Sequence, residues 1–94
     1  NDLASDKMTS KEAQRKAAAE RRARVAPLKK EIRALDEKIE KLSARKKTLE
    51  EQLVSQYSAD GSIELALLND QLKNAEEEWL RLNEECEAAL SEDK

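Results

Sequence analysis

Residues 25–53 read VAPLKKEIRALDEKIEKLSARKKTLEEQL, a stretch with a regular apolar repeat. Apolar residues recur through it in steps that alternate between three and four, and one polar residue fills a position in the series. The positions are Val25, Leu28, Ile32, Leu35, Ile39, Leu42, Lys46, Leu49 and Leu53. A period of about 3.5 residues keeps such a stripe facing one companion helix. The stretch therefore predicts a long helix that pairs with another helix.

A second stripe with the same spacing follows near the C-terminus. Its positions are Leu65, Leu68, Leu72, Ala75, Trp79, Leu82, Cys86 and Ala89. Between the two stripes lies the only glycine, where Asp60-Gly61 is a turn signal and Ser62 can cap the next helix. Two such helices joined by a short loop bury their stripes most simply by folding back on each other. We predict an all-α fold, a two-helix antiparallel coiled-coil hairpin with a basic, partly helical leader.

Pro27 sets the predicted start of the hairpin. Proline lacks an amide donor and disfavours a helical conformation for the residue before it, so we expect a helix boundary or a sharp kink there. Ser10 is the predicted N-cap of any helix in the leader. The predicted segments are a leader that is partly helical or disordered at 1–26, a first helix at 27–54, a turn at 55–62, a second helix at 63–90 and a tail at 91–94.

Two registers of the hairpin satisfy both stripes. One is centred near Tyr57 and places Leu35 beside Trp79, whereas a shift of one heptad is centred near Asp60 and places Leu42 beside Trp79. We prefer the first.

Three stripe residues are interpreted as core residues and not as functional sites. Trp79 is predicted to be a large core residue that fixes the register. Cys86 is predicted to be a small buried hydrophobe and not a nucleophile. Lys46 is expected to pack its aliphatic stem while its ammonium group reaches water.

Composition excludes several classes of protein. Charged residues make up 41% of the 94 residues, with one Gly, one Pro and two aromatic residues, which argues against a sheet or a conventional globular core. One cysteine and no histidine exclude a disulfide framework or a zinc cluster within one chain, and a reducing, cytoplasmic setting is expected. No phosphate-binding Gly-x-x-x-x-Gly-Lys-Ser/Thr loop and no membrane-spanning apolar run occur. We therefore expect no catalytic residues, no metal site and no cofactor in this chain.

Charge is strongly segregated along the sequence. From Lys11 to Arg33 there are nine Lys or Arg against three Glu, whereas residues 60–94 hold eleven acidic against three basic residues. The nine candidate nucleic-acid-binding residues are Lys11, Arg15, Lys16, Arg21, Arg22, Arg24, Lys29, Lys30 and Arg33. They constitute either a solvated basic helix or a surface for the phosphates of DNA or RNA. No aromatic residue lies among them, so any such binding should be directed to the backbone and insensitive to sequence.

A second, smaller basic cluster lies near the predicted tip of the hairpin. It consists of Lys41, Arg45, Lys46 and Lys47. We expect phosphate contacts at the nine residues above in preference to this cluster.

The order of three landmarks carries a family resemblance. A basic run leads to APLKKEIRALDEKIEKL at residues 26–42, a tyrosine follows near the turn, and EEEWLRLNEE occupies residues 76–85. This pattern resembles the C-terminal domain of ABC-F proteins of the Uup and YheS type, which are duplicated ATP-binding cassette ATPases without transmembrane segments. The resemblance covers about residues 11–90. It implies a cytoplasmic parent that binds ATP and Mg²⁺ and acts on ribosomes or translation, with this chain as an accessory arm.

The resemblance also suggests the partners. In Uup-like relatives the arm binds DNA, and in ribosome-bound relatives basic extensions touch RNA. The expected function is therefore an accessory domain that binds DNA or ribosomal RNA through backbone phosphates, with the parent ATPase domains and a second copy of the chain as further partners. The alternative is a structural coiled-coil module that dimerises or docks on the parent ATPase domains, because a lone hairpin of about 65 residues buries little surface.

Overall fold

A computed structural model describes the backbone of residues 2–91 and the side chains of residues 10–91. Two helices account for all but three of these residues: α1 spans Asp2–Ser55 and α2 spans Ala59–Ser91. They pack side by side in opposite directions and form a rod with dimensions of 82 × 14 × 14 Å. The all-α, two-helix antiparallel hairpin predicted from the two stripes is confirmed.

The buried side of α1 follows the predicted heptad spacing. Its partly or fully buried positions among the described side chains are Ala18, Arg21, Val25, Leu28, Ile32, Leu35, Ile39, Leu42, Lys46, Leu49 and Leu53. The series begins one heptad earlier than the sequence indicated, because Ala18 and Arg21 are too weakly apolar to show as members of a stripe. Lys46 is half-buried in its predicted position.

The complementary side of α2 is more deeply covered. Its buried residues are Gly61, Leu68, Leu72, Ala75, Leu82, Cys86 and Ala89, and Leu65 and Trp79 are half-buried in the same series. Cys86 is a free thiol with 7% of its surface exposed, so it packs as a small hydrophobe. The indole Nε1 of Trp79 is shielded from solvent and has no hydrogen-bond partner among the described residues.

Contacts at both ends of the hairpin show its register. Near the open end, Val25 packs against Cys86 and belongs to the same cluster as Ala89. At the tip, Leu53 of α1 lies against Gly61 of α2. Both sets of contacts fit the predicted register centred near Tyr57.

The helix boundary or sharp kink predicted at Pro27 is wrong. α1 continues through Pro27 without interruption. A straight helix of 54 residues is about 81 Å long at 1.5 Å per residue, which matches the 82 Å length of the rod. Pro27 is exposed, so its ring points away from α2, and the helix tolerates the loss of one backbone hydrogen bond. The leader and the first predicted helix are one element.

The turn is shorter than the predicted range 55–62 and contains only residues 56–58. Ser58 and not Ser62 caps α2, because the amide of Gly61 donates to Ser58 Oγ at 3.0 Å. Gly61 lies inside α2 and has no positive φ, so it does not form the turn. A Cβ atom at Gly61 would lie 2.9 Å from Leu53 Cδ2, so a larger residue there would have to displace the end of this side chain.

Candidate nucleic-acid interface

The nine candidate cations all lie on α1, and its helical geometry decides which of them share a face. Successive residues on a straight α-helix are rotated by about 100°. Five of the nine then fall within an arc of about 40°, and all five are exposed. They are Lys11, Arg15, Arg22, Lys29 and Arg33, and we call them the basic stripe. The stripe exists as one line only because α1 does not end at Pro27.

The other four candidates lie outside this arc. Lys16 and Lys30 are exposed on the outer surface of α1, to one side of the stripe. Arg21 is half-buried in the seam between the helices, and Arg24 lies beyond the seam, toward the opposite edge. The structure therefore brings together five of the nine predicted residues and separates the remaining four.

The stripe ends after Arg33. By the same rotation Glu40 lies in this arc and Asp36 lies about 20° outside it, so two carboxylates follow the stripe in the next turns of α1. The second basic cluster predicted near the tip is divided among different environments. Lys46 lies in the seam, and Arg45 is paired with a glutamate of α2.

One long edge of the hairpin carries ion pairs, and we call it the ion-pair edge. Arg45 donates to the carboxylate of Glu64 from Nε at 2.9 Å and from Nη2 at 3.0 Å, which links α1 to α2. Further along α2, Arg81 donates to Glu78 and lies 3.6 Å from Glu85. These side chains are about half exposed, so each pair contributes at most about 1 kcal/mol to stability.

The pKa of Arg81 reports how acidic this edge is. The hydrogen bond from Arg81 to Glu78 is the largest cause that raises the pKa of the guanidinium, and the charges of Glu78, Glu85 and Glu31 add to it. Glu31 belongs to α1. Carboxylates from both helices therefore surround the cation on the ion-pair edge.

The opposite edge, next to the basic stripe, has a different character. Arg22 and Lys29 border a shallow depression with Val25 and Leu90. A second depression follows along the same edge. It is lined by Lys29, Ile32, Arg33, Asn83 and Cys86. The α2 residues that line these two depressions are uncharged, in contrast to the glutamates of the ion-pair edge.

The stripe continues beyond the hairpin onto a single helix. The described part of α2 ends beside Arg21 and Arg22, as shown by the position of Leu90. Residues 2–20 of α1 extend past it, and we call this segment the arm. Lys11 and Arg15 are exposed on the arm. The stripe thus has two cations on the arm and three on the hairpin.

The interface offers charge but no stacking surface. The only two aromatic residues are Tyr57, at the tip, and Trp79, half-buried in the seam. Exposed Lys and Arg side chains without interleaved aromatics suit phosphate groups and carry no means of reading bases. Within residues 10–91 no group of acidic or cysteine side chains is arranged to hold a metal ion, and neither helix is long and apolar enough to cross a membrane.

Comparisons with protein families, with curated proteins and with solved structures give no match to this chain. The geometry of the hairpin and the chemistry of its two edges are therefore the basis for assigning a function.

Proposed function

We propose that this hairpin binds nucleic acid, DNA or ribosomal RNA, through contacts between the basic stripe and backbone phosphates. The observation that carries the proposal is the difference between the two edges. Arginines on the ion-pair edge are paired with carboxylates, whereas Arg22, Lys29 and Arg33 on the other edge face uncharged residues of α2. Exposed cations that face uncharged residues of the paired helix are available to release counterions from a polyanion.

The stripe also sets the expected strength of the salt dependence. Each phosphate neutralised on duplex DNA contributes about 0.9 to the slope of log K against log salt concentration. Five contacts would give a slope of about −4.5, which corresponds to a loss of affinity of several hundredfold between 50 and 200 mM salt. Binding should not depend on base sequence, because no stacking or base-reading group lies on the stripe.

We infer the parent protein from the resemblance. The landmarks Pro27, Tyr57 and Trp79, in that order, support an accessory C-terminal domain of an ABC-F ATPase linked to ribosome or translation function. In such a parent, ATP and Mg²⁺ would bind to the cassettes and not to the hairpin, and the protein would be cytoplasmic. The sequence of the parent tests this directly: two ATP-binding cassettes preceding Asn1 support the assignment, and a different upstream domain contradicts it.

A matched pair of charge-reversal variants tests the binding function. Arg22→Glu/Lys29→Glu reverses two cations of the stripe, and Lys38→Glu/Lys41→Glu reverses two exposed cations of α1 outside it. Both variants change the net charge of the chain by the same amount, so any nonspecific repulsion between the chain and the nucleic acid is equal in the two. We expect the first to weaken binding of a fluorescent duplex by about 10- to 100-fold at 100 mM salt and to flatten the salt slope by about 1.8.

The control variant should retain affinity within a factor of about three, and circular dichroism should show equal helicity for all three proteins. Equal losses in both variants would mean that binding follows net charge and not the stripe. No measurable binding by the unmodified chain at 50 mM salt would refute the proposed function.

A structural module that dimerises or docks on the parent ATPase domains is the second candidate, and one observation favours it. The accessible surface is 7623 Å², whereas a compact protein of 10.7 kDa exposes about 5500 Å². The excess of about 2000 Å² is similar to the surface buried in a stable protein interface. Sedimentation equilibrium separates the candidates: a tight dimer that binds no nucleic acid would favour this second function.

A further inference from the structure

The basic stripe has a length that suits double-stranded nucleic acid. Lys11 and Arg33 are 22 residues apart, which is about 33 Å along a straight helix. One turn of B-form duplex is about 34–36 Å long. A line of this length parallel to a duplex axis crosses both phosphate backbones. We propose that the stripe is a duplex-specific site with a footprint of one helical turn, an inference that rests on the proposed function and narrows it.

The five cations of the stripe also lie on one continuous helix. α1 passes through Pro27 without a break, and the rod is only 14 Å across in both transverse directions. The backbone positions of the five cations therefore follow one helical line. A duplex presents its phosphates on a stiff frame, so the ligand loses little conformational freedom when it binds along this line.

A single strand gains less from the same surface. A flexible strand must be straightened along the stripe, and proteins that bind single strands offset this cost with aromatic side chains that stack on bases, worth about 1–3 kcal/mol per base. Tyr57 is at the tip and Trp79 is in the seam, so neither lies beside the stripe. The chemistry of this edge therefore favours duplex over single strand.

The footprint is divided between two parts of the molecule. Lys11 and Arg15 lie on the arm, Lys29 and Arg33 lie on the hairpin, and Arg22 lies between them. The midpoints of the two outer pairs are about 27 Å apart. A duplex of half a turn can therefore engage one outer pair only, whereas a duplex of a full turn engages both.

The test compares ligands with equal numbers of nucleotides. Fluorescence anisotropy of the full chain is measured at 100 mM salt with a 12-bp duplex and with a 24-nucleotide strand that cannot pair with itself. We expect at least tenfold tighter binding of the duplex. Equal or tighter binding of the strand would overturn duplex specificity while leaving the proposed function intact, and binding of neither ligand would instead refute the proposed function.

The footprint is tested with stem-loops that share one loop and have stems of 6 or 12 bp. The arm variant Lys11→Ala/Arg15→Ala should weaken binding of the 12-bp stem by about tenfold and change binding of the 6-bp stem less than twofold. Equal losses on both stems would overturn the one-turn footprint. Lys38→Ala/Lys41→Ala removes the same charge away from the stripe and should leave both affinities within a factor of two.

Discussion

At the scale of single residues, the tip depends on how closely Leu53 approaches Gly61. A Cβ atom at residue 61 would lie 2.7 Å from Ser58 Oγ and 2.9 Å from Leu53 Cδ2, both closer than van der Waals contact allows. The same Oγ accepts the hydrogen bond that caps α2. Residue 61 therefore lies against both the packed side chain of Leu53 and the hydroxyl that caps α2.

Replacing Gly61 with Ala should destabilise the hairpin although alanine is the better helix former. Alanine gains about 1 kcal/mol in helix propensity, whereas overpacking costs about 1–3 kcal/mol and also displaces the cap. We expect a net loss of about 1 kcal/mol in urea unfolding followed by circular dichroism. In a Leu53→Ala background, the Gly61→Ala substitution should cost less stability than it does in the unmodified chain. A more stable Gly61→Ala protein would show that the close approach is not limiting.

Two serines, Ser58 and Ser62, lie near the start of α2, and only Ser58 caps the helix. Ser58→Ala removes the oxygen that accepts from the Gly61 amide and should cost about 1 kcal/mol. Ser62 is exposed inside α2, so Ser62→Ala should be neutral or slightly stabilising. The same unfolding measurement compares them, and the reverse order of stabilities would place the cap at Ser62.

The sequence could not distinguish these two serines. Asp60-Gly61 is a strong turn signal, and Ser62 stands where a cap would follow such a turn. In the structure the aspartate and the glycine are already helical, and the glycine lies against Leu53 of the opposite helix. A glycine in a sequence can mark either a turn or a close contact between two helices. Only the position of the opposite helix distinguishes these two roles.

At the scale of elements, the continuity of α1 through Pro27 is the feature that creates the arm and the stripe. Proline inside a helix costs about 3 kcal/mol relative to alanine, mainly through a lost hydrogen bond and a clash with the preceding turn. The sequence rules therefore favoured a boundary at Pro27. The strong helix formers before it and the seam position of Val25 against Cys86 hold both sides of the proline in one helix.

Replacing Pro27 with Ala should raise stability by about 1–3 kcal/mol, since alanine restores the amide and relieves the clash. Ala34 is exposed one heptad further along the same face, so Ala34→Pro provides the matched control and should lose a similar amount. Thermal unfolding monitored at 222 nm measures both. A lower melting temperature for Pro27→Ala would mean that the proline supports the native conformation.

Buried side chains between α1 and α2 stabilise the pairing of the two helices. Leu49 is 4% exposed, whereas Val54, five residues later, is 89% exposed. Truncating a buried leucine to alanine typically costs about 2–5 kcal/mol, so Leu49→Ala should be strongly destabilised. Val54→Ala should be nearly neutral in the same urea titration. Similar effects of the two substitutions would contradict the packing described for the tip.

At the scale of the whole molecule, the hairpin is a rod with two unlike edges. Regular stripes predicted the pairing of α1 with α2, because Leu and Ile at heptad spacing require a partner whatever the details of the ends. The division of the nine basic residues was less predictable. Five of them share one face only because α1 continues through Pro27 as a single helix. Which edge of α1 faces the glutamates of α2 depends on how the two helices pack.

Oligomerisation bears on the same edges. A dimer formed through the basic stripe would compete with nucleic acid, whereas a dimer formed elsewhere would leave it free. Sedimentation velocity is measured at 50 and 500 mM salt, with and without a 12-bp duplex. The duplex should sediment with either one chain or two chains bound to it. Loss of a dimer on adding duplex would place the second copy on the stripe.

Amide chemical-shift mapping of the isotope-labelled chain shows which edge of the rod contacts phosphate. Titration with a 12-bp duplex should perturb or broaden the amides around Lys11, Arg15, Arg22, Lys29 and Arg33. Amides around the ion pair of the opposite edge should remain unchanged. Perturbations concentrated on the ion-pair edge or at the tip, with the basic stripe unaffected, would contradict the proposed phosphate contacts.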